Sequence, residues 1–219
     1  MSTPRDLSAV SGYAEDEGNG RLFSPSAARN IKPIADVLAH HAPKAGQALE
    51  IASGTGQHVA IFAGRLPNLV WQPTEIDAAR LTSVNAWAEH SGELNILPAI
   101  PLNATQKGWG AAHAGQDLIT LSNLLHLISK TEAQTLISEA GKALAPQGVF
   151  HIYGPFMRDG ETTSAGDAEF HAKLQAQDPD VGYKDDWDVI DWIHTSGMDL
   201  VQVLEMPSNN ISFVATRPF

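Results

Sequence analysis

A glycine turn between a short apolar run and a helical pattern constrains this chain more than any other feature of its sequence. Residues 47–52 form the apolar run, residues 56–66 form the helical pattern, and Gly54 and Gly56 lie in the turn. Glycine lets the backbone turn sharply and approach a ligand closely, and the free N–H groups of a helix start face that ligand. The turn therefore predicts a strand, a ligand-binding corner and a helix, the first unit of an α/β fold.

The rest of the chain alternates between short apolar runs and helical patterns, as expected for β-α-β units around a parallel sheet. Strands are predicted at 47–52, 70–74, 94–100, 117–122 and 149–153, and a terminal β-hairpin at 200–205 and 211–216. A turn is predicted over 24–30, and helices are predicted to open at Pro33, Gly56, Asp77, Ser129 and Asp186. This pattern predicts a Rossmann-like, three-layer α-β-α sandwich.

Two segments lack a clear hydrophobic periodicity. Residues 1–20 are small and charged and predict a flexible tail, so that residues 21–219 would form one domain. Residues 154–185 are rich in Gly, Asp and Thr and are long for a connector. Long loops in compact domains are often lids or binding loops, so we expect this segment to shape the entrance for a substrate.

The charge balance excludes several kinds of partner. The formal net charge is -11, and no stretch of five Lys or Arg residues occurs. Nucleic-acid and anionic-membrane binding need a basic face, so neither is expected. A small-molecule substrate fits this balance, and a basic protein or peptide fits it as well.

The chain has no cysteine, which excludes disulfides, thiolate metal sites and cysteine nucleophiles. No apolar run is long enough to cross a membrane, and the polar N-terminus does not read as a secretory signal, so a cytoplasmic location is expected. No His-x-x-x-His pair with a nearby acid is present, so no metal site is predicted.

Two carboxylates flank the turn at useful positions. Glu50 precedes it and can receive a positively charged amine, and Glu75 follows Gly56 by 19 residues, where a carboxylate hydrogen-bonds a ribose diol. A dinucleotide site needs G-x-G-x-x-G, but Val59 occupies the third glycine position, which disfavours a nicotinamide-dependent oxidoreductase. A tight turn without any ligand is the structural alternative.

Several segments, taken in order, resemble the class I S-adenosylmethionine-dependent methyltransferases, and more narrowly a methyltransferase-like family of poorly defined role. They are Phe23–Asn30, Leu49–His58, Trp71–Glu75, Tyr153–Phe156 and Met206–Asn210. The resemblance covers nearly all of 21–219. It implies a mostly parallel, seven-stranded sheet with an antiparallel C-terminal hairpin, and S-adenosylmethionine as the cofactor.

The resemblance also implies a role for individual residues. Glu50 would lie near the methionine amine, Glu75 would hold the ribose, and Arg29 and Asn30 would close over the cofactor, with Arg29 meeting its carboxylate. The residues implied along the rest of the cofactor are Ala52, Ser53, Gly54, Thr55, Gly56, Asn103, Ala104, Ser122 and Asn123. Two positions depart from the family pattern: Ala52 stands where many members have glycine, and Asn103 where aspartate is commoner.

Two residues near the strand ends are candidates for a direct role in methyl transfer. Methyl transfer is an in-line displacement in which the protein aligns a nucleophile and sometimes removes its proton. His126 has the side chain for a base, and Tyr153 could position a substrate, although a structural histidine and a core tyrosine are the alternatives. The sequence predicts an S-adenosylmethionine-dependent methyltransferase acting on a small molecule. A cofactor-binding protein without methyl transfer is the alternative.

Overall fold

The computed structural model describes residues 14–16 and 18–219. A mostly parallel sheet lies at the centre of the fold. The strands are β1 (Glu15–Asp16), β2 (Leu22–Phe23), β3 (Gly46–Ile51), β4 (Leu69–Glu75), β5 (Ile100–Pro101), β6 (Gln116–Ser122), β7 (Leu144–Met157), β8 (Lys184–Asp185), β9 (Asp199–Met206) and β10 (Asn210–Thr216). Strands β1 and β2 form a separate two-stranded antiparallel sheet, and the others belong to the central sheet. The helices are α1 (Pro25–His41), α2 (Gln57–Arg65), α3 (Ala78–Ser91), α4 (Trp109–Ala112), α5 (Lys130–Ala143), α6 (Ala165–Gln177) and α7 (Asp186–Thr195).

The strand order creates a crevice at the carboxyl ends of the central strands. Seven strands follow the order β5-β4-β3-β6-β7-β10-β9, and the short β8 pairs with β7 beside this path. Strands β5, β4, β3, β6 and β7 are parallel, whereas β10 is antiparallel to both β7 and β9. The chain order reverses between β3 and β6, and ligands of open α/β sheets bind at such a switch point. The predicted sheet with its antiparallel hairpin is confirmed.

The two faces of the sheet carry separate apolar cores. On one face, α1, α2 and α3 bury Ile34, Leu38, Val59, Phe62 and Val84. On the other, α4, α5 and α7 bury Trp109, Leu136, Ile137, Val189 and Ile193. Burying a side chain of this kind stabilises a fold by about 1.5–3 kcal/mol, so both helical layers are held firmly to the sheet. The predicted three-layer sandwich is therefore confirmed.

Helix α1 begins earlier than predicted. Ser24 caps it, since the Ser24 hydroxyl accepts a hydrogen bond from the Ala27 N–H at 3.4 Å, and Pro25 occupies the first turn. Pro33 lies inside the helix rather than at its start. An interior proline removes one backbone hydrogen bond and typically costs about 3 kcal/mol. The fully buried side chains of Ile34 and Leu38 offset that cost.

The strand predicted at 94–100 is largely absent. Only Ile100–Pro101 pairs with β4 as a strand, and Ile96 makes one isolated bridge to Trp71. Pro98 has no N–H to donate to a ladder, so this edge of the sheet stays irregular. The apolar run that suggested a strand is partly exposed, with Leu94 fully accessible to solvent.

The segment predicted as a long loop contains a helix. Strand β7 continues to Met157, and α6 follows after the Ser164 cap. Only Leu174 of α6 is buried, so the helix lacks the apolar stripe by which a sequence pattern reveals one. Asp185, not Asp186, caps α7, and Asp186 lies in its first turn.

The ends of the chain agree in part with expectation. The predicted terminal hairpin is present as β9 and β10, joined by a turn at Pro207–Asn209. Residues 1–13 and 17 lie outside the described residues, so the flexible tail and the single domain remain predictions. Glu15–Asp16 pairs with Leu22–Phe23. Among the described residues, none of the helices combines the length and the apolarity that crossing a bilayer requires.

His151 forms a buried polar bridge across three strands. Its Nδ1 lies 2.9 Å from Thr120 Oγ1 and its Nε2 lies 3.1 Å from Ser212 Oγ. Burial lowers the pKa of His151 to about 3, and the positive charges of nearby histidines act in the same direction. The folded protein therefore keeps this ring neutral at pH values where an unfolded chain would protonate it.

We expect His151→Gln to reduce the acid sensitivity of the fold. The unfolded wild-type chain binds a proton at His151 below about pH 6.5 and the folded chain does not, so stability falls as the pH falls, by about 1–2 kcal/mol between about pH 6.5 and pH 5. Urea denaturation of both proteins at these two pH values measures the difference. Equal losses of unfolding free energy in the two proteins would contradict the expectation, whatever the variant's absolute stability.

Candidate functional site

The predicted glycine turn follows β3 and is fastened to the end of β4. The Ser53 N–H donates to the Thr74 carbonyl at 2.8 Å, and the Thr74 hydroxyl donates to the Glu50 carbonyl at 2.8 Å. Gly54 and Gly56 both have positive φ angles, of 59° and 95°. The turn is thus held rigidly against the neighbouring strand before α2 begins.

The two glycines are required for different reasons. A Cβ on Gly56 would lie 2.6 Å from Val84 Cα, so Gly56 allows α3 to pack against the turn. A Cβ on Gly54 would meet nothing closer than the Ala52 carbonyl oxygen at 4.0 Å. The space around Gly54 is open, so this glycine leaves the backbone accessible to a ligand, whereas Gly56 serves the packing of the fold.

Ala52, one of the two departures from the family pattern, adopts a conformation that favours glycine. Its φ is 53°, in the left-handed region, where a side chain costs roughly 1–2 kcal/mol. Its methyl group packs beside the core that α5 and α7 cover, which offsets part of this strain. The backbone path expected for a glycine is therefore kept at this position.

Glu75 is held by the backbone at the mouth of the crevice. Its Oε2 accepts the Gly54 N–H at 2.9 Å, and its Oε1 accepts the Ile76 N–H at 2.7 Å. Oε1 also accepts the Asp77 N–H at 3.3 Å. A carboxylate offers about four acceptor positions, so about one remains for a hydroxyl of a ribose diol. Ile76, directly after it, is 56% exposed and places an apolar surface beside the carboxylate.

Glu50 is a buried carboxyl group with an uncompensated oxygen. It is 3% exposed, and its Oε2 has no hydrogen-bond partner among the described residues. Burial raises the pKa of Glu50 to about 8, and the nearby charge of Glu75 adds to this although a hydrogen bond from Ser53 opposes it. A cationic amine at this position would supply the missing partner, so the donor set fits the amine of the expected cofactor.

The start of α1 reaches across the glycine turn. The Ser24 N–H donates to Gln57 Oε1 at 2.6 Å, and Asn30 Oδ1 lies 2.7 Å from His58 Nε2. Asn30 is buried and Arg29 is exposed on the same helical turn. These bonds place the predicted pair Arg29 and Asn30 next to the crevice.

A cavity of about 360 Å³ opens at the carboxyl ends of β6 and β7. It brings together five of the predicted site residues: Arg29, Asn30, Asn123, His126 and Tyr153. The other predicted residues lie near the end of β3 (Glu50), along the turn (Ala52, Ser53, Gly54, Thr55, Gly56), at the end of β4 (Glu75), after β5 (Asn103, Ala104) or at the end of β6 (Ser122). The predicted site residues thus form two groups: those at the glycine turn and the neighbouring strand ends, which we call the cofactor corner, and those that line the adjoining cavity.

Two of these residues also maintain local structure. Asn103 Oδ1 accepts hydrogen bonds from the N–H and the hydroxyl of Thr105, at 3.0 Å and 2.7 Å. The Ala104 carbonyl accepts a bond from Trp109 Nε1 at 3.0 Å. The Leu102 N–H donates to the Glu75 backbone carbonyl, so this loop still lies beside Glu75, whose carboxylate is predicted to bind the ribose.

His126 is buried against the aromatic rings of Phe170 and Tyr183, with centroid separations of 5.8 Å and 6.1 Å. Its Nδ1 has no hydrogen-bond partner among the described residues. Burial lowers the pKa of His126 to about 3, and the charge of Lys184 contributes to this. The imidazole is therefore neutral at physiological pH and is a weaker base than its residue type suggests.

Tyr153 and its neighbours add residues that the sequence did not reveal. The Tyr153 hydroxyl accepts a hydrogen bond from Asn210 Nδ2 at 2.9 Å. Asp167 and Phe170 of α6 line the same cavity together with Tyr183. No periodic signal marked these positions, because they belong to a helix and a loop that bury few apolar side chains.

Comparison with known proteins agrees with this geometry. A family model described as a protein of unknown function (DUF938) matches residues 21–217. Among solved structures, an O-methyltransferase family protein from Burkholderia thailandensis superposes with a TM-score of 0.75 and 17% identity, over 88% of this chain and 57% of that chain. A putative O-methyltransferase from Nostoc punctiforme PCC 73102 gives 0.76 and 20%, over 88% and 57%.

A third solved structure is human N-acetylserotonin methyltransferase in complex with S-adenosylmethionine. It has a TM-score of 0.71 and 12% identity, over 89% of this chain and 53% of that chain. The present chain therefore spans little more than half the length of these proteins. At such identities the likeness establishes the fold, which is the methyltransferase fold that the sequence resemblance implied.

The two glycines provide a test of this division between packing and ligand access. We expect Gly56→Ala to destabilise the protein by several kcal/mol, on the order of the cost of overpacking a core, because its Cβ would collide with the backbone of α3. Gly54→Ala should cost only about 1–2 kcal/mol, the strain of a left-handed alanine. Chemical denaturation of both variants measures these losses. A larger loss for Gly54→Ala than for Gly56→Ala would contradict the assignment.

Proposed function

Because the chain belongs to the DUF938 family of proteins of unknown function and has the methyltransferase fold, we propose that it is an S-adenosylmethionine-dependent methyltransferase acting on a small molecule. The uncompensated carboxyl of Glu50 carries the proposal. It lies at one end of the glycine turn, and the backbone-held carboxylate of Glu75 lies at the other. A ligand with a cationic amine and a ribose diol satisfies both groups.

The cofactor, when bound, supplies an activated methyl group on a sulfonium centre. The residues of this chain would hold and orient it: Glu50 would receive the amine, Glu75 would accept from the ribose, and the exposed side chain of Ile76 would offer an apolar surface to the base. Binding charges the Glu50 site, because an ammonium group favours the ionised carboxylate.

His126 serves the methyl acceptor. A neutral imidazole with an unpartnered Nδ1 accepts a hydrogen bond from an acceptor hydroxyl and so aligns its oxygen. Burial, together with the charge of Lys184, lowers the pKa of His126, so the ring orients the hydroxyl more readily than it keeps the proton. The O-methyltransferases among the structural neighbours support oxygen as the methylated atom.

A cofactor-binding protein without methyl transfer is the second candidate. The low pKa of His126 favours it, because general base catalysis is most effective when the pKa of the base lies near the working pH. Both candidates require the same cofactor corner and differ only in what the cavity does. Cofactor binding and methyl transfer therefore need separate tests.

The first test is calorimetric titration with S-adenosylhomocysteine, which keeps the amine and the ribose. Since the pKa of Glu50 is about 8 in the free protein, the carboxyl is mostly protonated at about pH 7, and ionisation in the complex should release close to one proton. Titrations in two buffers of different ionisation enthalpy measure this release. Glu50→Gln should abolish it and weaken binding. Absence of any S-adenosylhomocysteine binding by the wild-type protein would rule out the proposed cofactor.

The second test concerns His126 and needs a methyl acceptor, found by screening small hydroxy compounds for production of S-adenosylhomocysteine. With that acceptor, His126→Ala should reduce turnover by about 10²-fold, the cost of a misaligned reactant, and leave S-adenosylhomocysteine affinity unchanged. Between about pH 5 and pH 8 the His126 ring stays neutral, so its titration should add no step to the pH dependence of the wild-type rate. Any step in that range should therefore also be present in His126→Gln. Normal turnover by His126→Ala would assign the residue a structural role.

A further inference from the structure

The carboxylate of Asp167, in the first turn of α6, lines the cavity beside β6 and β7. Its Oδ2 accepts hydrogen bonds from Thr163 Oγ1, Ser164 Oγ and Asn209 Nδ2, at 2.9, 2.6 and 3.0 Å. Burial alone would raise the pKa of Asp167, but the hydrogen bonds that it accepts lower it, so the group is ionised at neutral pH. All of these donors are uncharged, so they stabilise the carboxylate without cancelling its charge.

The other oxygen of Asp167 can accept a further hydrogen bond. Among the described residues, Oδ1 accepts the Tyr183 hydroxyl alone, at 3.2 Å. Hydrogen bonds from a hydroxyl to a carboxylate are ordinarily about 2.5–2.7 Å long, so this one is weak. An ionised carboxylate has about four acceptor positions on its two oxygens. Oδ1 is therefore available to a stronger donor inside the cavity.

Aromatic side chains line the cavity around this carboxylate. Phe170, one turn after Asp167 on α6, and Tyr183 are both lining residues, and their ring centroids lie 6.1 Å apart. The faces of aromatic rings carry partial negative charge and attract ammonium groups. A carboxylate surrounded by aromatic rings therefore favours a cationic amine and repels an anion.

The charge of Arg29, which lines the same cavity, does not reverse this preference. Arg29 is exposed to solvent, and among the ion pairs of the described residues none joins it to Asp167. Water and salt screen an exposed charge more strongly than a half-buried one such as that of Asp167. The net charge of -11 adds a long-range attraction for cations.

Tyr183 connects Asp167 with the proposed acceptor site at His126. Its ring centroid lies 6.1 Å from that of His126, and its hydroxyl donates to Asp167. The two groups are thus separated by about the length of a tyrosine side chain. An acceptor whose hydroxyl meets His126 would place a substituent near Asp167 if one aromatic ring lies between the two.

We propose that Asp167 determines the specificity of this cavity by binding an ammonium group of the methyl acceptor, with the rings of Phe170 and Tyr183 beside the same cation. The inference rests on the proposed function for the identity of the acceptor as a small hydroxy compound. It narrows that class to compounds that carry both a hydroxyl group and an amine, such as phenols with an aminoalkyl side chain.

The test compares three phenols that differ in the group opposite the hydroxyl. Tyramine carries an ammonium group, 4-ethylphenol is its uncharged analogue, and 4-hydroxyphenylacetate carries a carboxylate. Each is titrated into the wild-type protein saturated with S-adenosylhomocysteine, and binding is followed by calorimetry. Tyramine should bind at least about ten-fold more tightly than 4-ethylphenol, and 4-hydroxyphenylacetate should bind more weakly than both.

Three results with the wild-type protein would overturn the proposal. They are equal affinities for tyramine and 4-ethylphenol, no tyramine binding at about 10 mM, and tighter binding of 4-hydroxyphenylacetate than of tyramine. The last result would show that the field of Arg29 outweighs that of Asp167.

A matched pair of variants assigns the preference to Asp167. Asp167→Asn keeps the shape of the side chain and removes its charge, so it should remove most of the advantage of tyramine and leave 4-ethylphenol affinity unchanged. Glu169→Gln removes the same charge from an exposed position of α6, where Glu169 pairs with Lys173, and should keep the advantage. Thermal melting checks that both variants are folded. An advantage that is equally large in both would refute the role of Asp167.

A further variant leaves the carboxylate in place, since Asp167→Asn also alters hydrogen bonds that hold α6. Tyr183→Phe keeps the aromatic ring but removes the O–H that occupies Oδ1 of Asp167. The advantage of tyramine over 4-ethylphenol should then be at least as large as in the wild-type protein. Its loss in a folded Tyr183→Phe protein would contradict the assignment to the Asp167 charge.

Failure of the proposed function is distinguishable from failure of this inference. If the wild-type protein does not bind S-adenosylhomocysteine, the cofactor assignment is wrong, and the three phenols are titrated into the protein alone with the same variants. A tyramine preference that depends on Asp167 would still support the cation site, and its absence would overturn it. If S-adenosylhomocysteine binds and the tyramine preference is absent, only this inference fails.

Discussion

The carboxylate of Glu75 joins the two central strands at the point where ligand binding is expected. One oxygen accepts the Gly54 N–H of the turn after β3, and the other accepts the Ile76 N–H at the end of β4. The glycine turn, the start of α2 and the crevice above β3 and β6 all depend on this bridge. The same group that would bind a ribose therefore also fixes the shape of its own site, as is common where catalytic sites are built on rigid strand ends.

Two buried polar atoms of the site lack a hydrogen-bond partner among the described residues. They are Oε2 of Glu50 and Nδ1 of His126, whereas Trp71 Nε1 and Gln116 Oε1, which also lack a partner, lie outside the site. Buried polar groups are normally satisfied, because an unmade hydrogen bond costs about 1–3 kcal/mol. The proposed ligands would supply both partners, a cationic amine for Glu50 and an acceptor hydroxyl for His126.

The helical segment after β7 shows why part of the cavity could not be predicted. Helix α6 buries only Leu174 and is held by polar contacts, such as those of Asp167 with Tyr183 and Asn209. Hydrophobic periodicity cannot reveal such a helix, since its stability comes from residues distant in sequence. By contrast, the capping box at Ser129 and the apolar runs of the central strands gave their elements correctly, because those signals are local.

The sequence by itself determined the α/β class, the glycine turn, and the two carboxylates at its ends, because spacing along a strand-turn-helix unit fixes their position relative to one another. It also indicated His126 and Tyr153 as neighbours of the crevice. Only the tertiary structure decided the charge state of these groups: burial, not residue type, raises the pKa of Glu50 and lowers that of His126. The hydrogen bond from Asn210 Nδ2 to Tyr153 Oη was likewise decided by the fold, because the two residues lie far apart in sequence and meet only in the folded chain.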